Sequence, residues 1–328
     1  MEKLSPIVQE AFGIQSRRIK KEKGRYIYEK AGELISIYIT HEPPAAISLQ
    51  HFIKEHIAAK GFPWTDRFQP ITTGQPYIRL GREAYVMVKY PHQRRETDFE
   101  NEADVLQAFR CLAHLHIAAR DIPHTVTQIL PPAAPSMPEI YTRQLSELTI
   151  AGKQARRGPR MSDFDVAFIK HAPIYSEIMQ ESINRLADTS YDKLYTLAIN
   201  HNAICHNTLK EENLLVTNNA TYIINFSEAT VDIQLSDVAA LIRRYAGRSS
   251  KSIHITRMLE AYDTINPLPT GAHDILYALL IFPWAFIKIV TQYYSKKRNW
   301  APGGLISRMD TILAERESYE KYVKTIMK

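Results

Sequence analysis

The chain has 328 residues, 45% of them hydrophobic and 23% charged, with a net charge of +6. That length is too great for one small core and comfortable for two lobes, and the composition is that of a globular protein able to bury a core. Two cysteines, Cys111 and Cys205, exclude a disulfide framework, lack metal-ligand spacing and fit a chain made in a reducing cytosol. The positive charge is gathered in Arg17-Arg18-Ile19-Lys20-Lys21, Arg156-Arg157-Gly158-Pro159-Arg160 and Lys296-Lys297-Arg298. No aromatic interleaving or nucleic-acid motif accompanies these runs, so they read as solvated loops and helix ends, and no nucleic-acid partner is expected.

The start, Met1-Glu2-Lys3-Leu4-Ser5-Pro6, has no long apolar stretch behind it, so no signal peptide is expected. The first ninety residues are strand-like. Tyr26-Ile27-Tyr28 and Leu34 to Thr40 predict a hairpin around Gly32, and Ile47 to Lys60 predicts a helix closed by Gly61. Further strands are expected near Phe68 to Thr72 and at Ala84 to Val88, with a break at Pro91. Beyond it, Val105, Ala108, Phe109, Leu112, Leu115, His116 and Ala119 recur at helical spacing. Pro131 to Pro135 reads as a loop. Helices follow from about Ser162 to Ala187, interrupted by Pro173, and from Tyr191 to Ile199. Leu214 to Val216 and Tyr222 to Ile224 predict a short hairpin turning at Asn218-Asn219. The remainder reads as helical, and its most apolar segment, Ile275 to Val290, contains Pro283 and reads as a core helix and not a membrane span. The pattern predicts an α+β, two-lobed architecture: a β-rich lobe over residues 1–90 and a larger α-rich lobe over 91–328.

One segment carries chemistry. Cys205-His206-Asn207-Thr208-Leu209-Lys210-Glu211-Glu212-Asn213 is followed by the hairpin and then by Ile224-Asn225-Phe226-Ser227. Kinase-like folds carry a loop of the form H-x-D-x-x-x-x-N, a short hairpin, and a turn containing Asp-Phe. His206, Lys210 and Asn213 match that loop, and eleven residues separate Asn213 from Asn225. Asp237 falls where related phosphotransferases place an aspartate that braces the loop backbone. The charged positions differ. Thr208 stands where the loop aspartate orients the attacking hydroxyl, and a neutral hydroxyl is no general base near neutral pH. Asn225 stands where an aspartate holds Mg²⁺, an ion that favours anionic oxygen. On the strand Leu34 to Thr40 the phosphate-gripping lysine is replaced, with Tyr38 at its position; Lys30 and Lys54 fall outside the strand. No glycine-rich phosphate loop precedes it.

These residues resemble the CotS family of bacterial endospore coat-associated proteins, whose fold is similar to that of choline kinase and the aminoglycoside phosphotransferases. Ile35 to His41 resembles the family's third strand, Leu112 to His116 its L-x-x-F-H helix end, and Cys205 to Asn213 its C-H-x-D-x-x-x-x-N loop. Tyr222 to Asp232 is similar to its V-I-D-L-D-T-V-x-x-D segment, and Ile281-Phe282-Pro283-Trp284 to its late F-P-Y helix. Departures fall at polar catalytic positions: Tyr38 for Lys, Thr208, Asn225 and Ser227 each for Asp. The resemblance implies a protein-kinase-like fold and spore-coat association, with spore-coat proteins as partners and synthesis in the cytoplasm of the sporulating mother cell.

The expectation is a pseudokinase with a structural or scaffolding role, with no catalytic residues, no metal site and no cofactor, ATP and Mg²⁺ included. His206, Lys210, Asn213 and Asp237 mark a vestigial nucleotide cleft. His116 reads as a satisfied core histidine and Glu228 as a displaced carboxylate with little claim on a metal. The alternatives are an active or weakly active phosphotransferase of the aminoglycoside or choline kinase class and a nucleotide or metabolite sensor without turnover.

Overall fold

Alternation of apolar and polar side chains over the first ninety residues gives a sheet with two useful faces. In a computed structural model of the protein, which describes residues 4–16, 18–22, 24–30, 33–90, 94–123, 135–157, 161–218, 220–247, 253–295 and 302–327, the small lobe opens with helix α1 (Pro6–Ala11). Strands β1 (Lys20–Glu22), β2 (Arg25–Lys30), β3 (Glu33–Thr40), β4 (Phe68–Gln69), β5 (Ile78–Leu80) and β6 (Glu83–Tyr90) follow. The sheet order is β1-β2-β3-β6-β4, with β5 paired to β6. Tyr26, Tyr28, Ile35, Ile37, Tyr85 and Met87 bury one face against Leu4, Val8 and Phe12 of the N-terminal segment. The intervening residues Ala84, Val86 and Val88 turn the other way. They pack with Phe68, with Ile47 of helix α2 (Pro44–Ala59), and with Leu215 and Ile224 of the large lobe. Tyr38 pairs with Val86, which places it on this second face, towards the large lobe. Helix α2 begins three residues before Ile47 because Pro44 is pre-set for a first helical turn, and Gly61, at φ +92°, turns the chain just beyond it.

The large lobe holds helices α3 (Glu102–Ala118), α4 (Met137–Arg157), α5 (Asp163–Ala187), α6 (Tyr191–Asn200), α7 (Leu235–Ala246), α8 (Ile255–Asp263), α9 (Ala272–Ile281), α10 (Trp284–Tyr294) and α11 (Pro302–Val323). Short strands β7 (Arg95–Glu96), β8 (Ile204–Cys205), β9 (Leu214–Val216), β10 (Thr221–Ile223) and β11 (Thr230–Val231) carry the loops. One apolar core runs through it, including Phe109 and Leu112 of α3, Phe164 and Phe168 of α5, Leu276 of α9 and Phe286 of α10. The α5 start is closed by a capping box between Ser162 and Asp165. Cys111 and Cys205 are both buried, which raises their thiol pKa values and keeps them in the unreactive form.

Three expectations need correction. Pro173 does not interrupt its helix: α5 runs unbroken from Asp163 to Ala187. Its missing N–H forfeits one bond, but Phe164, Phe168, Tyr175 and Met179 anchor the helix in the core on both sides of it. The strand expected over Phe68 to Thr72 ends at Gln69. Helix α4 was not foreseen. Gly32, Pro91, Pro131 to Ala134, Gly158 to Arg160, Asn219 and Lys296 to Arg298 lie outside the described residues. The run Ala272–Tyr294 has a mean hydropathy of 1.7 and is long and apolar enough, by length and composition, to cross a membrane. It is divided at Phe282-Pro283 into α9 and α10, and 61% of its apolar window is buried inside the lobe.

Candidate functional site

The loop between β8 and β9 is organised by one carboxylate. Asp237, in the first turn of α7 and 1% exposed, accepts the backbone N–H of His206 at 2.6 Å and of Asn207 at 2.8 Å. Its Oδ2 lies 3.3 Å from His116 Nε2, and His116 Nδ1 lies 2.7 Å from the Tyr262 hydroxyl. A neutral imidazole, donating from Nε2 and accepting at Nδ1, satisfies both contacts. Burial lowers the His116 pKa, in keeping with the neutral ring. Burial alone would raise the Asp237 carboxyl, but hydrogen bonds from His116 and the His206 backbone outweigh it and hold it below the usual carboxylate range. His206 is itself fully buried; its Nε2 donates to Ile224 O at 2.9 Å, and its Nδ1 accepts from Thr208 N at 3.3 Å. His206 and Asp237 therefore lie under the loop, as its supports.

The loop brings Thr208, Asn213 and Asn225 together. Asn213 Nδ2 donates to Thr208 O at 2.8 Å, and Asn225 Nδ2 reaches Asn213 Oδ1 at 3.5 Å. Thr208 Oγ1 lies 3.3 Å from His206 Nδ1 and donates to Asn225 O at 3.5 Å. Asn225 takes φ +67° and Asn207 φ +63°, left-handed conformations that asparagine tolerates better than most residues. The Asn207 amide donates to Glu228 O and Thr230 Oγ1, at 2.9 and 2.8 Å, and ties the loop to the following turn. Ser227 and Glu228 are exposed in that turn. Lys210 is exposed on the loop, 3.8 Å from Glu212. Tyr38 sits beneath the Arg25 guanidinium, 5.6 Å from its ring centroid, and with Tyr77 and Tyr222 packs against the apolar cluster between the lobes. Among the described residues, no group of three or more His, Cys, Asp or Glu is gathered closely enough to hold a metal ion.

Two charged residues of this region were missed as site residues. Lys54 of α2, set aside because it lies off the strand, is fully buried, with its ammonium 2.8 Å from Asp66 Oδ1. The same oxygen accepts the Asn225 N–H at 3.3 Å. A lysine on the buried stripe of a helix, beside Leu49, Ile53 and Ile57, was the available signal.

Asp232, five residues before Asp237, has the opposite fate. It is 3% exposed, it accepts the Ile233 N–H at 2.7 Å, and burial pushes its pKa up to about 7. A raised carboxyl binds its proton in the folded state before it does in the unfolded chain. Its stabilising contribution is full below the ordinary carboxylate pKa of about 4 and is lost as pH rises through about 7. Asp232→Asn is expected to flatten the fall in melting temperature between pH 5 and pH 8 relative to the parent. Parallel pH profiles would show that the carboxyl ionises normally.

The fold and the loop geometry define a kinase-like phosphotransferase architecture, with a small sheet-containing lobe over a larger helical one. The chain belongs to the family described as "Spore coat putative kinase YutH", whose model matches residues 5–326. It is 19% identical over 323 residues to the endospore coat-associated protein YutH of Bacillus subtilis (strain 168), covering 97% of this chain and 91% of that one. Its structure is similar to that of an aminoglycoside phosphotransferase from Alicyclobacillus acidocaldarius (TM-score 0.85, 16% identity, 100% and 96% of the two chains covered). It is also similar to a choline/ethanolamine kinase family protein from Mesorhizobium loti (TM-score 0.52, 10% identity, 97% and 96% covered). These structural likenesses show the fold alone. The resemblance to CotS proteins led to the same spore-coat class, while the family that matches is that of YutH.

Proposed function

We propose that this protein is a pseudokinase: a kinase-fold component of the spore coat, made in the mother-cell cytoplasm, that docks onto other coat proteins and transfers no phosphate. The observation that carries this reading is the neutral, self-contained bonding of the cleft. Thr208, Asn213 and Asn225, at the positions of base and metal ligands, are uncharged and hydrogen-bonded to one another. ATP with Mg²⁺ does not fit this donor set. A hydroxyl and two amides supply no anionic ligand for the metal and no base for the attacking group, and Tyr38 supplies no cation for the phosphates. The packing of Tyr38, Tyr77 and Tyr222 against the interlobe cluster adds apolar bulk on the same side. In this reading Ala272–Tyr294 serves as a core element of the large lobe.

Purified protein is expected to consume no ATP above background, with or without Mg²⁺, and to show no nucleotide-dependent rise in melting temperature. Turnover in the ordinary kinase range of about 1–100 s⁻¹, lost in Asn213→Ala, would instead establish a phosphotransferase. A melting shift without turnover would establish a sensor. For docking, Lys210→Ala is the clean probe, since the side chain is exposed and its removal should change stability by no more than about 0.5 kcal/mol. A fluorescently tagged Lys210→Ala protein should reach the developing spore as the parent does. Asn213→Ala should also localise, but at a stability loss of about 1–3 kcal/mol, because Asn213 is buried and bonded. A folded Asn213→Ala protein that stays diffuse would make the cleft part of the docking function.

A further inference from the structure

In working kinases an ion pair between a strand lysine and a helix glutamate must be in place for activity, and the lysine also grips the nucleotide phosphates. Here the strand carries Tyr38, and the buried lysine of this region stands on helix α2. Lys54 projects from α2, and its acidic partner, Asp66, lies beyond the end of that helix, on the segment leading to β4. Both side chains are almost wholly excluded from water. Asp66 Oδ1 receives three groups at once: the Lys54 ammonium at 2.8 Å, the Asn225 N–H at 3.3 Å and the Thr65 hydroxyl at 3.3 Å. Beyond this contact the ammonium has no hydrogen-bond acceptor among the described residues, and its other side rests 4.1 Å from the centre of the Phe68 ring. Next to Asp66, Trp64 O accepts the N–H of Ile223, from the hairpin of the large lobe, at 3.0 Å.

We propose that Lys54 and Asp66 form a buried clamp that ties helix α2 and strand β4 to the turn carrying Asn225, so that the floor of the interlobe cleft is held in place without any nucleotide. The chain supplies both charges itself, so the clamp is complete as soon as the protein folds. A buried ammonium and carboxylate are costly to strip of water, and each holds the other in place because removing one strands its partner. The shared oxygen passes that constraint to the backbone of Asn225, on the other lobe. The clamp stands independently of whether the cleft turns over ATP, and its test uses no nucleotide.

The test is hydrogen–deuterium exchange on the full-length protein, the Lys54→Met variant and the Lys54→Met/Asp66→Leu double variant. Lys54→Met leaves a buried carboxylate without its counter-charge. The peptides covering 44–59 and 225–229 should exchange at least tenfold faster, while α9 in the core keeps parental protection. Should that variant fail to fold, the double variant decides, since it buries no charge. With Asp66 gone the Asn225 N–H has lost its acceptor, so residues 225–229 should still exchange faster in a protein whose melting temperature is close to the parent's. Parental exchange over 225–229 in the double variant would overturn the clamp. So would a Lys54→Met protein whose exchange rises equally in α9 and in the turn.

Discussion

An Asp237→Ala variant is expected to lose about 3 kcal/mol or more of folding stability, because it leaves three buried donors without an acceptor at about 1–3 kcal/mol each. Typical domains have only about 5–15 kcal/mol in total, so much of the variant should be insoluble or unfolded at growth temperature. The size of the effect follows from how many groups depend on this one carboxylate. Without it the N–H groups of His206 and Asn207 and the Nε2 of His116 all lose their acceptor, inside a site that excludes water. Asp237→Asn should fall between the parent and Ala, because the amide offers one acceptor but turns two donor hydrogens towards a site that already contributes three. Acid should act in the same direction. The Asp237 carboxyl is held below its ordinary pKa, so its contribution is full above about pH 4 and fades as pH falls through the folded-state value. Urea midpoints at pH 7 and pH 3 for the parent and both variants measure this. An Asp237→Ala protein as stable as the parent at pH 7 would mean that the loop is held by other contacts.

Phe109→Ala should cost about 3–5 kcal/mol, and Leu112→Ala about 2–5 kcal/mol, by opening a cavity in the large-lobe core. Both residues are wholly buried in α3, and α3 is the wall against which α8 and the hairpin strand β10 pack. Loss there should loosen the hairpin and with it the loop that it follows. Chemical denaturation of both variants beside Lys210→Ala gives the comparison. If the core truncations and the exposed lysine change produced similar midpoints, the packing described for α3 would be wrong.

Much of the fold is written in local pattern. The alternation at Tyr26 to Tyr28 and Ala84 to Val88 and the helical stripe of α3 depend only on neighbours a few residues apart. They survive in the structure as β2, β6 and α3. Helix α4 was legible and overlooked. Tyr141, Leu148, Ala151 and Ala155 are its buried residues, at spacings of seven, three and four that suit one helix face. Their signal is diluted by a mostly polar surface and by the proline-rich stretch before them. Pro173 shows the reverse error, since a residue that ends an isolated helix is tolerated once the helix is held along its length by a core.

By itself the sequence determined the two-lobed class and the loop–hairpin–turn that carries Thr208, Asn213 and Asn225, because short spacings and a tight hairpin leave the chain few ways to connect them. It also determined that these positions carry no charge, since a threonine or an asparagine is neutral wherever it folds. Tertiary structure alone decided the electrostatics. Asp232 and Asp237 are the same residue type five positions apart, yet one is driven towards its neutral form and the other is held as an anion. The difference lies in the donors that distant parts of the chain bring to Asp237, His116 among them, 121 residues away. Lys54 and Asp66 were equally ordinary in the sequence. They acquired a role only when folding removed them from water and set the Asn225 N–H, 159 residues from Asp66, against the same oxygen. Burial multiplies the strength of a charge's interactions, and which charges are buried together is a property of the packed chain.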